Sequence, residues 1–346
     1  MIYFNSDYLE GAHPSIMVKM AETNMVQTVG YGEDEYCEAA REKIKAACQA
    51  PEADVHFLVG GTQTNTTVIA AILRPWQGVI SAVSGHINCH EAGAIESTGH
   101  KVITLPTDNG KITAQQVADY VEWHKNDEST EHIVQPGMVY ISHPTEAGTL
   151  YTKAELTDLY DTCRRYGLPL YIDGARLGYG LAADESDMTL PEFARLCDVF
   201  YIGGTKVGAL FGEAVVIMNE SLKKDFRFIM KQRGGRLAKG RLLGIQFDAL
   251  FTDDLYFKIS RHAIEMAHQI RDIFVSAGYP LLFDSPTNQQ YPIMPDAELA
   301  EIGKSFGYEY WERVDETHSG VRFCASWATT QENVDALREA VNTLKK

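Results

Sequence analysis

The sequence predicts an α/β protein, a mostly parallel β-sheet sandwiched by helices, followed by a smaller C-terminal α+β unit. Three observations predict it. From about residue 35 to 220, apolar runs rich in β-branched residues alternate with helical patterns, as in strand–helix–strand units. Several of these runs, among them Val139-Tyr140-Ile141-Ser142 and Leu170-Tyr171-Ile172-Asp173, suit strands buried on both faces. After residue 240 the alternation gives way to a long helical stretch, and 346 residues suffice for a large domain and a small one. The expected division is 1–245, with an N-terminal arm over about 1–20, and 246–346.

Strands are expected at Val55–Val59, Val79–Val83, Lys101–Leu105, Met138–Ser142, Pro169–Asp173, Val199–Gly203 and Glu213–Met218. The helical patterns between them cover Asp34–Ala50, Thr64–Leu73, Cys89–Ser97, Ala114–Trp123, Lys153–Tyr166 and Pro191–Leu196. Arg241–Ala277 reads as one or two long helices, because Leu243, Phe247, Leu250 and Phe251 fall at i, i+4, i+7 and i+8 on one face. Val321–Ala325 reads as a strand of the tail and Gln331–Lys345 as its closing helix.

Composition narrows the function classes. Lys and Arg number 31 against 47 Asp and Glu, a net charge of −16, so a nucleic-acid duplex or an anionic membrane would be repelled. No apolar run approaches the length that spans a bilayer, and the N-terminus has no basic-then-apolar secretory pattern. Six scattered cysteines without a C-x-x-C pair read as reduced, mostly buried thiols of a cytoplasmic protein. Basic residues cluster at 223–241.

Four places carry candidate chemistry. Gly203-Gly204-Thr205-Lys206 follows an apolar strand, and a desolvated lysine there could form a Schiff base with an aldehyde. A solvated surface lysine is the plain alternative. Asp173 ends another strand, where a carboxylate could pair with a protonated pyridine nitrogen. Arg176 could hold a substrate carboxylate in a bidentate fork. The alternative is a turn-capping Asp and a surface Arg. Gly60-Gly61-Thr62 opens a helix after a strand and could present N–H groups to a phosphate, or be an ordinary helix start. In His86-Ile87-Asn88-Cys89-His90-Glu91, two histidines at i and i+4 could bind zinc, but the Glu lies outside the pair and no third ligand is evident. A His86 stacked on a planar cofactor, or a plain core histidine, remains. Taken together, at strand ends of one α/β region, phosphate cup, stacking His, ring-nitrogen Asp and Schiff-base Lys describe a pyridoxal 5′-phosphate site.

On these residues, and from Asn5-Ser6-Asp7 to Arg322-Phe323-Cys324-Ala325-Ser326-Trp327, the chain resembles the threonine aldolase group of fold-type I pyridoxal-phosphate enzymes, also called the β-eliminating lyase family. The likeness is to its low-specificity threonine aldolase and phenylserine aldolase branch. The resemblance implies Lys206 as the Schiff-base lysine, Asp173 on the pyridine nitrogen, His86 on the ring, and Gly61 and Thr62 at the phosphate. It implies Ser6, Arg176 and Arg322 at the substrate carboxylate and Tyr31 contributed across a dimer interface. A basic residue from a neighbouring subunit would reach the phosphate, with Lys239 preferred over Arg233, Arg236 and Arg241. The assembly implied is a homodimer or homotetramer, with a small amino acid as substrate, no nucleic-acid or membrane partner and no metal.

One departure stands out. Where true threonine aldolases tend to carry a second histidine, this chain has Glu146, with His143 three residues earlier. Glu146 is therefore the expected group at the substrate's β-hydroxyl, as base or as neutral donor, unless it only caps its loop or pairs with a nearby Arg. In that case His86, His143 or a phosphate-bound water is the next candidate base. The implied reaction is retro-aldol cleavage of a β-hydroxy-α-amino acid to glycine and an aldehyde. The alternatives are β-elimination or transamination on the same fold.

Overall fold

The computed structural model describes residues 1–345. Seven strands form its main sheet: β1 (Asp54–Leu58), β2 (Gln77–Ala82), β3 (Val102–Leu105), β4 (Gln135–Ser142), β5 (Leu170–Asp173), β6 (Val199–Gly203) and β7 (Glu213–Ile217). All seven expected strands are present, within three residues at each end. They lie in the order β1-β7-β6-β5-β4-β2-β3. Neighbours from β6 across to β3 are parallel, and β7 runs antiparallel to both β6 and β1. Apolar side chains on both faces explain the continuous apolar runs: one hydrophobic cluster holds Val55, Ile80, Ile103, Ile141 and Ile172, the other Leu58, Val79, Val102, Tyr140 and Tyr171. Parallel strands bring their C-terminal ends to one edge, and Ser142 of β4 lies beside Asp173 of β5 in register.

Helices Glu35–Cys48, Gly61–Ile72, Ala114–Asn126, Lys153–Tyr166 and Leu190–Ala194 fall on the expected patterns. Capping boxes at Thr113/Gln116 and Thr152/Glu155 fix two of their starts. The helix expected over Cys89–Ser97 is not formed. A four-residue helix, His86–Cys89, gives way to a turn with Ala92 at φ 52° and Gly93 at φ 72°, and a 3₁₀ turn follows at Glu96–Thr98. The left-handed pair ends the helix and turns Glu91 inward. Short helices at Pro14–Thr23, Leu177–Ala182 and Phe226–Gln232 had no expectation attached.

The long C-terminal pattern resolves into two helices, Arg241–Leu250 and Leu255–Ser276, separated by Asp253 and Asp254 at positive φ. Leu243, Phe247 and Leu250 are buried on one face, as their spacing requires. The tail strand spans His318–Cys324 and pairs antiparallel with Ile293–Pro295 and Glu309–Arg313. A third hydrophobic cluster joins this tail to Phe4, whose segment Ile2–Tyr3 pairs in parallel with Phe306–Gly307. Helix Leu255–Ser276 contributes Tyr256 and Ile264 to the main core and Ile270 and Phe274 to the tail's. We propose the division 1–245 and 246–346, with that helix as the splint between the units. Five of the six cysteines are buried, and Cys89 is exposed. Among the described residues no helix is long and apolar enough to cross a membrane.

Candidate active site

At the C-terminal edge of β4, β5 and β6 lies a cavity of about 310 Å³. Gly61, Thr62, His86, Glu146, Asp173, Arg176 and Lys206 all line it. It adjoins a wider one of about 650 Å³ that shares His86, Glu146, Arg176 and Lys206 and adds Arg322, Phe283 and Trp311. Seven of the eleven residues singled out in the sequence thus meet in the inner cavity, and Arg322 faces the outer one. Ser6 is buried nearby in sequence to Tyr8, which lines both, and its hydroxyl has no partner. Tyr31 and Lys239 line neither cavity within one chain.

Lys206 sits in the β6–β7 hairpin, half-buried, just after Gly203 and Gly204. Gly204 has no room for a side chain: a Cβ there would lie 2.6 Å from the Gly212 carbonyl oxygen. Burial, then the nearby Arg176 guanidinium, push the Lys206 amine below its usual range, against the pull of Asp7, Asp173 and Glu213. An amine so shifted is more often neutral and nucleophilic at physiological pH. Its hairpin is held by Glu213, whose carboxylate accepts the Gly204 N–H at 3.0 Å and the Thr205 hydroxyl at 2.8 Å. Burial pushes Glu213 upward.

Asp173 is buried at the end of β5 and accepts four hydrogen bonds. Oδ1 takes the Tyr201 hydroxyl at 2.5 Å and the Ala175 N–H at 3.0 Å, and Oδ2 takes the Tyr140 hydroxyl at 2.7 Å and Asn65 Nδ2 at 3.1 Å. Burial alone would raise its pKa, but His86 and the donors, led by Tyr201 and Tyr140, hold it below the usual carboxylate range. The group therefore keeps its negative charge although it is buried.

Arg176 is gripped by Asp7: Nε donates to Oδ2 at 2.7 Å and Nη2 to Oδ1 at 3.0 Å. Asn288 Nδ2 donates to the same carboxylate at 2.9 Å. Burial would raise Asp7, yet Arg176 and Lys206 bring it down to about 2. Arg322 donates to Gln289 Oε1 at 3.1 Å and to the Asn5 carbonyl at 3.0 Å.

Glu146 turns its Oε1 to the His86 backbone N–H at 2.9 Å and the Ser142 hydroxyl at 2.6 Å. Burial raises its pKa against the lowering effect of Ser142. It therefore both caps a short helix and faces the cavity. His143 does not face it. That ring packs 5.1 Å from Phe193 in the core, has no hydrogen-bond partner, and is brought down to about 4 by burial and then Lys111. His143 is thus no base for the substrate: a neighbour of Glu146 in sequence, it turns its ring into the core.

Helix Gly61–Ile72 opens at this cavity, its N-cap Gly60 extended and without a side-chain cap. No side chain competes for its first N–H groups, which have no intrahelical acceptor. A Cβ on Gly61 would stand 3.2 Å from the Tyr201 hydroxyl, a tight approach that glycine avoids. These features fit pyridoxal 5′-phosphate: N–H groups for a dianion, a carboxylate held ionised at a strand end, and a lysine amine with a lowered pKa, all lining one cavity. Sequence reading missed Asp7, Asn65, Glu91, Tyr140, Tyr201 and Glu213. Only the buried polar character of Tyr140 and Tyr201 within apolar strands could have pointed to a partner.

Comparison with known proteins agrees with this geometry. The solved structure of Leishmania major threonine aldolase is 42% identical, superposes with a TM-score of 0.97 and is covered over 100% of both chains. A low-specificity L-threonine aldolase of Pseudomonas aeruginosa is 28% identical over 337 residues, 96% of this chain and 95% of that protein. Histidinol-phosphate aminotransferase from Clostridium acetobutylicum, 12% identical with a TM-score of 0.76 over 100% of this chain and 99% of that one, shares the fold. The model of the beta-eliminating lyase family matches residues 4–340. That match takes in every strand of the main sheet and every residue of the cavity, and the chain belongs to the beta-eliminating lyase family, as a pyridoxal-phosphate-dependent lyase of fold type I.

Proposed function

We propose that this chain cleaves a β-hydroxy-α-amino acid, of threonine, allo-threonine or phenylserine type, to glycine and an aldehyde. The observation that carries this reading is the end-to-end likeness at 42% identity to a threonine aldolase, with Lys206 and Asp173 facing one cavity. Bound pyridoxal phosphate supplies an electron sink conjugated to the substrate's Cα.

The chain's own residues do the rest. Lys206 would offer its amine for covalent attachment of the cofactor and could carry a proton within the cavity. Asp173 would keep a proton on the ring nitrogen. The Gly61 and Thr62 N–H groups would hold the phosphate, and His86 would cover the ring. Arg176 would grip the substrate carboxylate with the edge of its guanidinium that Asp7 leaves open, assisted by Arg322 and Ser6. That grip would fix the orientation of the substrate's Cα. Glu146 takes the proton of the β-hydroxyl, a role that positioned acid–base groups fill with about 10²–10⁴-fold effect.

We further propose a cytoplasmic homodimer or homotetramer. Met17, Val18, Met25, Val29 and Tyr31 are all exposed apolar side chains of the segment 17–31, which a second copy would cover. Tyr31, beside Lys231 and Arg236 in its own chain, and the exposed Lys239 would then complete the neighbour's site. Arg241 is less suited, because its guanidinium is tied to the Asn24 and Val26 carbonyls.

The test is a product assay on purified holoenzyme with threonine, allo-threonine and phenylserine. Glycine and aldehyde in equal amounts support the reading. Pyruvate or another keto acid with ammonia, and no glycine, would assign β-elimination instead.

A further inference from the structure

His86 and Asp173 are joined through two further residues, Glu91 and Asn65. The His86 ring nitrogen Nδ1 lies 2.8 Å from Glu91 Oε1. Asn65 Nδ2 donates to that same oxygen at 2.7 Å and, with its other hydrogen, to Asp173 Oδ2 at 3.1 Å. The Asn65 carbonyl accepts the Tyr171 hydroxyl at 2.7 Å. Asn65 is wholly buried, Glu91 is 5% exposed, and the second Glu91 oxygen has no partner at all.

The donors can be assigned from this pattern. Two carboxylates flank the Asn65 amide on one side and a hydroxyl on the other, so the NH₂ group faces the carboxylates and the carbonyl faces Tyr171. Glu91 Oε1 already accepts from Asn65, so it is the acceptor toward His86 as well. Nδ1 therefore carries the imidazole proton, and Nε2 is left as the ring's one basic atom.

We propose that Glu91 is the positioning residue for His86, fixing it as the Nδ1–H tautomer with Nε2 available to take a proton in the cavity, and that Asn65 couples this pair to Asp173. The physical logic is general: a carboxylate behind an imidazole sets its tautomer, its orientation and its basicity. Asn65 supplies one hydrogen to each carboxylate, which lets two buried negative groups stand close without sharing a proton. The other groups around His86 are His90, with ring centroids 5.6 Å apart, Glu146 on its backbone N–H, and Lys206, Arg176 and Arg322 across the cavities. Glu91 is the carboxylate bonded to the ring itself.

The inference rests on the proposed reaction only for its kinetic consequence, so its test has two arms. Nitrogen-15 histidine NMR on the cofactor-free protein, with His86 assigned by difference from His86→Gln, reads the tautomer in the wild type. Nδ1–H in the neutral ring is expected, and Nε2–H would overturn the proposal without any variant being needed. Glu91→Ala removes the acceptor behind Nδ1, so the wild-type preference for Nδ1–H should be lost and both tautomers should appear. An unchanged tautomer would also overturn the proposal. In the holoenzyme, Glu91→Ala should lower kcat by about tenfold or more with KM nearly unchanged. A lost tautomer preference with an unchanged kcat supports the positioning by Glu91 and counts against His86 acting in the reaction.

Discussion

Tyr201 donates its hydroxyl to Asp173 at 2.5 Å, from the strand next to the one that Asp173 ends. Burial and the Asp173 charge push the Tyr201 hydroxyl well above its usual range, so it stays protonated as a donor. The bond is thus one-directional: tyrosine gives and aspartate remains an anion. Removing the charge while keeping the shape, Asp173→Asn, should lower turnover by about 100-fold or more, since a positioned ionisable group is lost. Cofactor binding, followed by absorbance, should persist. Tyr201→Phe should instead cost stability, about 1–3 kcal/mol, because it takes one donor from a buried carboxylate. Urea unfolding of the cofactor-free protein measures it.

The Asp7–Arg176 fork sets a pH limit on the fold. Asp7 is held at about 2, below its unfolded value of 3.8. A depressed carboxylate adds stability above the unfolded value and loses it as pH falls through the folded one. The contribution, about 2 kcal/mol, should therefore be complete above pH 5 and vanish between roughly pH 4 and pH 2. Comparing the melting temperature of the wild type with Asp7→Asn across that window checks it: the gap should close at low pH. At neutral pH, Arg176→Lys should raise the substrate KM by about tenfold or more, since a point charge cannot replace a fork.

Glu146 faces opposite demands. Burial raises its pKa above 4.5, yet a base must be ionised. A rate that depends on ionised Glu146 must climb through an acid limb lying above pH 4.5, and Glu146→Gln should erase that limb. Cleavage should slow by about 100-fold while substrate affinity holds. Equal rates in wild type and Glu146→Gln would leave Glu146 only its structural bonds to Ser142 and the His86 N–H.

If Tyr31 and Lys239 serve a neighbouring site, activity and cofactor retention fall together when subunits separate. Lys239→Glu should weaken cofactor binding by about tenfold or more, through loss and reversal of a charge near the phosphate. Mixing it with an inactive Lys206→Ala chain should change the activity through hybrid assemblies. An active monomer by light scattering would contradict the neighbour-borne role.

What the sequence made legible follows from how local each signal is. Lys206 and Asp173 could be read because each ends a short apolar run, and Gly60-Gly61 because two glycines mark the start of a helix. Asn65 and Glu213 could not be read, because what defines them is a bond to a residue distant in the chain or across a hairpin. Glu91 reads in the sequence only as part of an incomplete zinc motif, because helical spacing does not show the turn where Ala92 and Gly93 are left-handed. Gly93 was the available warning. The seven strands are legible because burial on both faces makes their interiors continuous apolar runs, such as Val199–Ile202, that polar residues such as Asp54, Gln77 and Asp173 bound. The short helices 14–23 and 177–182 carry too few turns for a periodicity to show.

Lys206 is the residue proposed to carry the cofactor, and borohydride reduction of the holoenzyme, followed by proteolysis and mass spectrometry, identifies the attachment site. One pyridoxyl-phosphate adduct is expected, on the Lys206 side chain. It should be absent from Lys206→Ala, whose turnover should fall by several orders of magnitude. An adduct on Lys239 or any other lysine, with Lys206 unmodified, would contradict that assignment.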